Sequence, residues 1–122
     1  VEQAMQFATK KNNVSITEFT VAPMIQVGEG QLPYHEWLLE TDDADLDINE
    51  LEETLDNHLR QLNIYYDDLR RGNILSRLKI VSLPKGSFVN YMKSIGKLGG
   101  QNKVPRLSNN RELADALLSM VL

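Results

Sequence analysis

The residue types best suited to chemistry in this chain are gathered in one segment, Gly96-Lys97-Leu98-Gly99-Gly100-Gln101-Asn102-Lys103-Val104-Pro105-Arg106-Leu107-Ser108. A glycine pair permits positive φ and close backbone approach, so its N–H groups can face an anion. Lys103 can then deliver a positive charge to that anion. Pro105 fixes its own φ and biases Val104 toward an extended conformation, which predicts a stiff surface loop carrying Lys103 and Arg106. The spacing is not that of a Walker phosphate loop, because Val104 stands where a Ser or Thr should follow the lysine. It is not a dinucleotide fingerprint either, since no strand leads directly into it. Residue types alone therefore leave two readings: an anion-contacting loop, or a glycine-rich turn between helices with solvated cations.

Other candidates are weaker. The chain has no Cys and only two His, His35 and His58, so it offers no thiol nucleophile, no Cys-based zinc site and no multi-histidine metal centre. His35 shares a strand face with Trp37 and Leu39 and reads as a packed core or edge histidine, and His58 lies beside an apolar helix stripe. No Ser/His/Asp arrangement can be built on them, and no metal site is expected. Asp42, Asp43, Asp45 and Asp47 lack the central Gly and terminal Glu of a calcium loop and read as a solvated linker at a helix start. Tyr65, Tyr66 and Tyr91 could stack on nucleic-acid bases, but their helical placement favours core packing for at least two of them.

Charge is sharply segregated. Residues 1 to 68 hold 15 acids and 3 bases, a net of -12, whereas residues 69 to 122 hold 2 acids and 10 bases, a net of +8. From Leu69 to Arg111 there are ten basic residues and no acid. Such asymmetry suits an anionic partner, and it equally suits a fold in which one half neutralises the other.

The elements that must position these residues follow from periodicity and punctuation. Apolar spacing predicts a helix over 1–11, ended by Asn12-Asn13. A β-branched run predicts a strand over 14–21, closed by Pro23. A Gly-containing loop leads to a second strand over 34–40, paired antiparallel to the first, with one face toward the core. Asp47 with Glu50 has capping-box character and opens a helix with a stripe of Ile48, Leu51, Leu55, Leu59 and Leu62, placing Glu52, Glu53, Asp56 and Asn57 in water. A shorter helix over 63–71 is expected to end with Gly72 as its C′ residue. A third strand over 77–83 ends at Pro84-Lys85-Gly86, Ser87 caps a helix through about Lys97, and Asn109 with Glu112 opens a last helix carrying Leu113, Ala116, Leu117 and Met120. The expected fold is α+β, a small mostly antiparallel or mixed sheet of about three to four strands flanked by amphipathic helices. The length of 122 residues suits one domain, and no apolar run approaches the ~18 residues of a membrane span. With no signal pattern at the N-terminus, the expectation is a cytoplasmic protein without membrane contact, and the opening on Val1 inside a helix suggests a piece of a longer chain.

The stretch Pro84 to Asn110, PKGSFVNYMKSIGKLGGQNKVPRLSNN, resembles the C-terminal end of the auxin-responsive promoter family of acyl acid-amido synthetases, in its bacterial form. Tyr34-His35-Glu36-Trp37-Leu38, the leucine-rich acidic helix and Asn63-Ile64-Tyr65-Tyr66-Asp67 resemble that family in the same order, so the similarity covers essentially the whole chain. The resemblance implies that residues 1–122 form the mobile C-terminal lid of an adenylating ligase, with a large N-terminal domain acting in cis and the isolated domain inactive. Such enzymes are similar to firefly-luciferase-like acyl-adenylate-forming enzymes. They join a carboxylic acid to an amine, typically that of an amino acid, at the expense of ATP, with ATP and Mg held mainly by the large domain and none bound tightly by the small one. The family's Gln-x-Lys-x-Pro-Arg pattern places the catalytic lysine at Lys103, and Gly99, Gly100, Gln101 and Arg106 become candidates for a phosphate- or nucleotide-contacting loop. Gly99-Gly100 and Asn102 depart from the plant pattern, which leaves acyl and amine specificity open. The alternative is a self-contained phosphate- or nucleic-acid-binding module using the basic 69–111 segment. Nucleic acid is the less expected partner of the two.

Overall fold

In the computed structural model, which describes residues 1–97, 99 and 102–121, the chain forms α1 (Glu2–Asn12), β1 (Ile16–Met24), β2 (Tyr34–Thr41), α2 (Ile48–Leu62) and α3 (Ile64–Arg71), then β3 (Lys79–Leu83), α4 (Ser87–Ser94) and α5 (Glu112–Val121). The sheet has the order β1-β2-β3. β1 and β2 pair antiparallel, with Val21 opposite Trp37, and β3 adds in parallel on the other side of β2, with Ile80 opposite Trp37. The parallel step is a consequence of α2 and α3, which span the crossover that a parallel connection requires. This is the expected α+β class with a mixed sheet.

Both sheet faces are covered. Phe19, Val21, Trp37, Leu39 and Ile80 meet Ala4, Met5 and Ala8 of α1 and Leu51 and Leu55 of α2 in one core. On the opposite face Ala22, Leu38 and Leu83 meet Phe88 of α4, Ala114 and Leu117 of α5, and Val104. The alternation in β2 suggested a single buried face. The second face is buried as well, and its two carboxylates, Glu36 and Glu40, lie under the helices instead of in water.

Several boundaries differ from the sequence expectation for local reasons. β1 runs through Pro23 to Met24. Val21 N–H points away from β2, to the carbonyl of Arg106 at 2.9 Å, so the position two residues on also presents its nitrogen outward and no ladder bond to β2 is lost at the proline. α3 ends with Gly72 at φ -82, and it is Asn73, at φ 56, that takes the left-handed position; Ile74 N–H then reaches Leu69 O and Asn73 N–H reaches Arg70 O, a Schellman closure. α4 starts from Gly86, with φ 88, and Ser87 is its first residue, its hydroxyl donating to Pro84 O. The same helix stops at Ser94 because Gly96, at φ 70, closes it in the same way, with Lys97 N–H bonded to Met92 O. At α5 the cap is Asn110 rather than Asn109, its Oδ1 accepting from Glu112 N–H at 3.0 Å. Ala114 and Leu117 face the core, while Met120 is exposed.

Candidate functional site

The segment that follows α4 is anchored residue by residue on its C-terminal side. Val104 is buried in the α4/α5 core. The Pro105 carbonyl accepts from Thr20 Oγ1 at 2.6 Å, the Arg106 carbonyl accepts from Val21 N–H, and Ser108 N–H donates to Val21 O at 3.0 Å. Leu107 thereby forms a parallel bridge with Val21 along the outer edge of β1. Fixing a residue's backbone costs about 1–2 kcal/mol, and these edge bonds with the buried Val104 supply the offset. The stiffness expected from Pro105 is thus chiefly the work of β1.

Arg106 turns inward. Its Nη1 donates to a Glu18 carboxylate oxygen and, at 2.9 Å, to Phe19 O, its Nε donates to Glu2 Oε1 at 3.2 Å, and the guanidinium lies 4.5 Å over the Phe19 ring. Lys103, three positions earlier, is exposed. Gly99 has φ 83 and its carbonyl accepts from the Asn102 side-chain amide at 3.3 Å. Gly100 and Gln101, both expected in the loop, lie outside the described residues. An open depression of about 500 Å³ is lined by Lys97, Gly99, Lys103, Phe88, Met92 and Arg106, among others. The structure brings Gly99, Lys103 and Arg106 together, with Lys97 added.

The α4 end of the site is set by a carboxylate from the sheet. Glu40, 5% exposed on β2, accepts from Phe88 N–H at 3.1 Å and so satisfies an otherwise orphaned donor in the first turn of α4. At the far end of the loop Arg111 donates to Glu36 at 2.8 Å, to Pro23 O and to Asp115. Burial lowers the Arg111 pKa, but its bonds to Glu36 and Asp115 outweigh that and raise it. Glu36 and Glu40 stand on one face of one strand, and through them β2 fastens the first turn of α4 and Arg111, the residue before α5.

Most of the basic half is spent on the acidic half. Arg70 pairs with Asp56, Arg71 with Asp67, Arg77 with Glu52, Lys85 with Asp42, Arg106 with Glu18 and Glu2, and Arg111 with Glu36 and Asp115. Lys79 sits 4.5 Å over the Tyr34 ring. Among the described residues no carboxylate pairs with Lys93, Lys97 or Lys103, and all three are exposed at or beyond the end of α4. The arrangement can therefore offer point positive charge to an anion that approaches from outside, while the carboxylates at its rim, Glu2 and Glu18, are engaged by Arg106.

The remaining candidates have structural roles. His35 lies in an apolar cleft of about 310 Å³ with Trp37, Tyr66 and Leu107, and burial lowers its pKa. His58 stacks on Phe7 at 3.9 Å. In the acidic connector Asp43 accepts from Asp45 N–H, Asp47 caps α2 by accepting from Glu50 N–H, and among the described residues no three His, Asp or Glu side chains converge as a metal site. Tyr66 is buried, Tyr91 partly so, and Tyr65 is exposed. Two carboxylates of α2 that were expected in water are not there: Glu52 is partly buried and accepts from Arg77 Nη2 and from Ile80 N–H, each at 2.8 Å, and Asp56 belongs to a buried network that sequence reasoning missed outright. Asp56, expected in water, is 3% exposed and accepts from Tyr66 Oη and from Arg70 Nε and Nη2. Burial pushes its carboxyl up, yet the bonds from Arg70 and Tyr66 prevail and hold it below its ordinary value. Burial and the adjacent Asp56 push the Tyr66 hydroxyl well above its own.

Among curated proteins, none matches this chain in sequence. In structure it is similar to the GH3.15 acyl acid amido synthetase at a TM-score of 0.71, with 18% identity over 98% of this chain and 24% of that one. A structure described as AtGH3.15 acyl acid amido synthetase in complex with 2,4-DB matches at 0.69, with 17% identity over 98% of this chain and 23% of that one. The chain thus spans about a quarter of the length of these solved structures. At such identities the likeness establishes the fold. Residues 1–112 match the GH3 family C-terminal domain, which agrees with the resemblance carried by the motifs, and the chain therefore belongs to that family.

Proposed function

We propose that residues 1–122 are the C-terminal lid of an acyl acid-amido synthetase, and that the domain closes over a large N-terminal domain in cis and presents Lys103 to the reacting phosphate. In the reaction a carboxylate oxygen attacks the α-phosphorus of ATP and pyrophosphate leaves. An amine, typically of an amino acid, then attacks the acyl carbon and releases AMP. The observation that carries the reading is the placement of Lys103: an exposed ammonium beside Lys97, on a backbone held to β1 immediately afterwards, with no carboxylate partner among the described residues. A point charge carried on a backbone anchored in this way stabilises negative charge that develops on the phosphoryl oxygens. ATP and the acid bind mainly on the large domain. Magnesium is held there as well in this reading. The domain alone has no complete site and is inactive in this account.

The reading as a self-contained module for nucleic acid or phosphorylated ligand rested on ten basic residues without an acid, and six of these are consumed by ion pairs within the fold. Lys103→Ala in the full-length protein tests the favoured reading: ATP–pyrophosphate exchange falls by about 100-fold, the typical cost of removing one preorganised charge-stabilising group. Exchange at the wild-type rate refutes it.

A further inference from the structure

Arg106 belongs to the sequence pattern that carries Lys103, and a guanidinium at the rim of an anion site would ordinarily be taken to bind the anion. Its surroundings say otherwise. Three polar contacts to Glu2, Glu18 and the Phe19 carbonyl engage its Nε and Nη1, and the Phe19 ring covers a face of its plane. One guanidinium against two carboxylates leaves this corner of the depression with no surplus positive charge to offer. The same corner is where the loop is fastened: Thr20 holds the Pro105 carbonyl, Val21 holds Arg106 and Ser108 through the backbone, and Arg106 adds the side-chain contacts that fix the segment to β1 and α1. Only Val104 and Pro105 separate this fastening from Lys103, and Val104 is buried. Three residues span at most about 10 Å, so a shift at Arg106 is passed on to Lys103 with little slack.

From this we infer that Arg106, clamped by Glu18 and Glu2, is a positioning residue for Lys103 and does not itself touch the nucleotide; the inference rests on the reading of Lys103 given above.

The test is a double-mutant cycle on ATP–pyrophosphate exchange in the full-length protein, using Arg106→Gln, Lys103→Ala and the two combined, with thermal unfolding of each variant measured alongside. A displacement of about 1 Å can cost up to about 100-fold, so a loosened loop is expected to lower kcat by about tenfold in Arg106→Gln, with the KM for ATP within about twofold of wild type. The double variant is expected to be no slower than Lys103→Ala alone, because a misplaced lysine and a missing one cannot be lost twice. Glu18→Gln keeps the guanidinium and removes its main carboxylate partner; it is expected to lower kcat by about threefold with the same non-additivity, and it carries the test if Arg106→Gln proves too unstable. A double variant slowed by the product of the single effects overturns the inference, as does a raised KM for ATP in Arg106→Gln, which would mark a direct contact. A slowed Lys103→Ala beside a wild-type Arg106→Gln overturns the inference alone, whereas a wild-type Lys103→Ala overturns the reading of Lys103 and this inference with it.

Discussion

Asp56 lies between leucines of the α2 stripe in sequence and was expected in water, yet it is buried and accepts three side-chain hydrogen bonds, from Tyr66 and Arg70. Its partners are 10 and 14 residues away, beyond the reach of the i,i+4 pairing that makes helix charges legible, so nothing in the local pattern announced them. Removing Arg70 leaves that carboxylate buried beside a phenol alone. We predict that Arg70→Ala costs about 3 kcal/mol in urea unfolding of the chain, near the lower end of the cost of breaking a buried pair, since the guanidinium retains some exposure to solvent. His35 gives a separate, pH-dependent prediction. It shares its cleft with Val1, Tyr65 and Tyr66, and burial keeps it neutral in the folded state below its ordinary value of 6.5. As pH falls through about 6.5 the unfolded chain binds the proton first, so stability is fully present above that pH and declines below it. His35→Gln flattens this part of the stability profile measured between pH 7 and 5, and leaves the carboxylate region below about pH 4 unchanged.

At the scale of elements, the caps show what a sequence can and cannot reveal. Asp47 and Asn63 cap α2 and α3 with their own side chains, and local pattern was enough to place those helices within a residue or two. α4 was misread at its start because its cap comes from elsewhere: Ser87 looks like an N-cap, but Glu40, 48 residues earlier, receives the Phe88 N–H. The same long-range logic hid the second buried face of β2, where Glu36 and Glu40 mimic the alternation of a solvent-facing strand. Glu40→Ala should destabilise the chain by about 1–3 kcal/mol, the cost of a buried donor left unsatisfied, and Glu40→Gln should recover most of it by restoring an acceptor. Equal losses in the two variants, measured by denaturant unfolding, would show that charge at the helix terminus matters more than the hydrogen bond.

For the whole molecule, charge segregation proved to be mainly a property of folding. The acidic first half and the basic second half meet across the sheet and helices, so the asymmetry visible in the sequence is largely neutralised in space. Among the described residues, Lys93, Lys97 and Lys103 of the basic half meet neither a carboxylate nor an aromatic ring, and they were not distinguishable in sequence from Lys79 and Lys85, because pairing depends on which groups the fold brings near. What was legible was the glycine-lysine-proline segment and its family resemblance; its attachment to the β1 edge was not, since Val21 and Arg106 are joined only by the tertiary structure. The central claim is that this fold carries Lys103 as a charge for adenylation. The most direct measurement is the kcat and KM of ATP–pyrophosphate exchange for Lys103→Ala in the full-length protein. The account predicts that kcat falls by about 100-fold while the KM for ATP stays within a few-fold of wild type, because the interaction is made chiefly in the transition state and most ATP binding lies on the large domain. An unchanged kcat, with or without a raised KM, would contradict it.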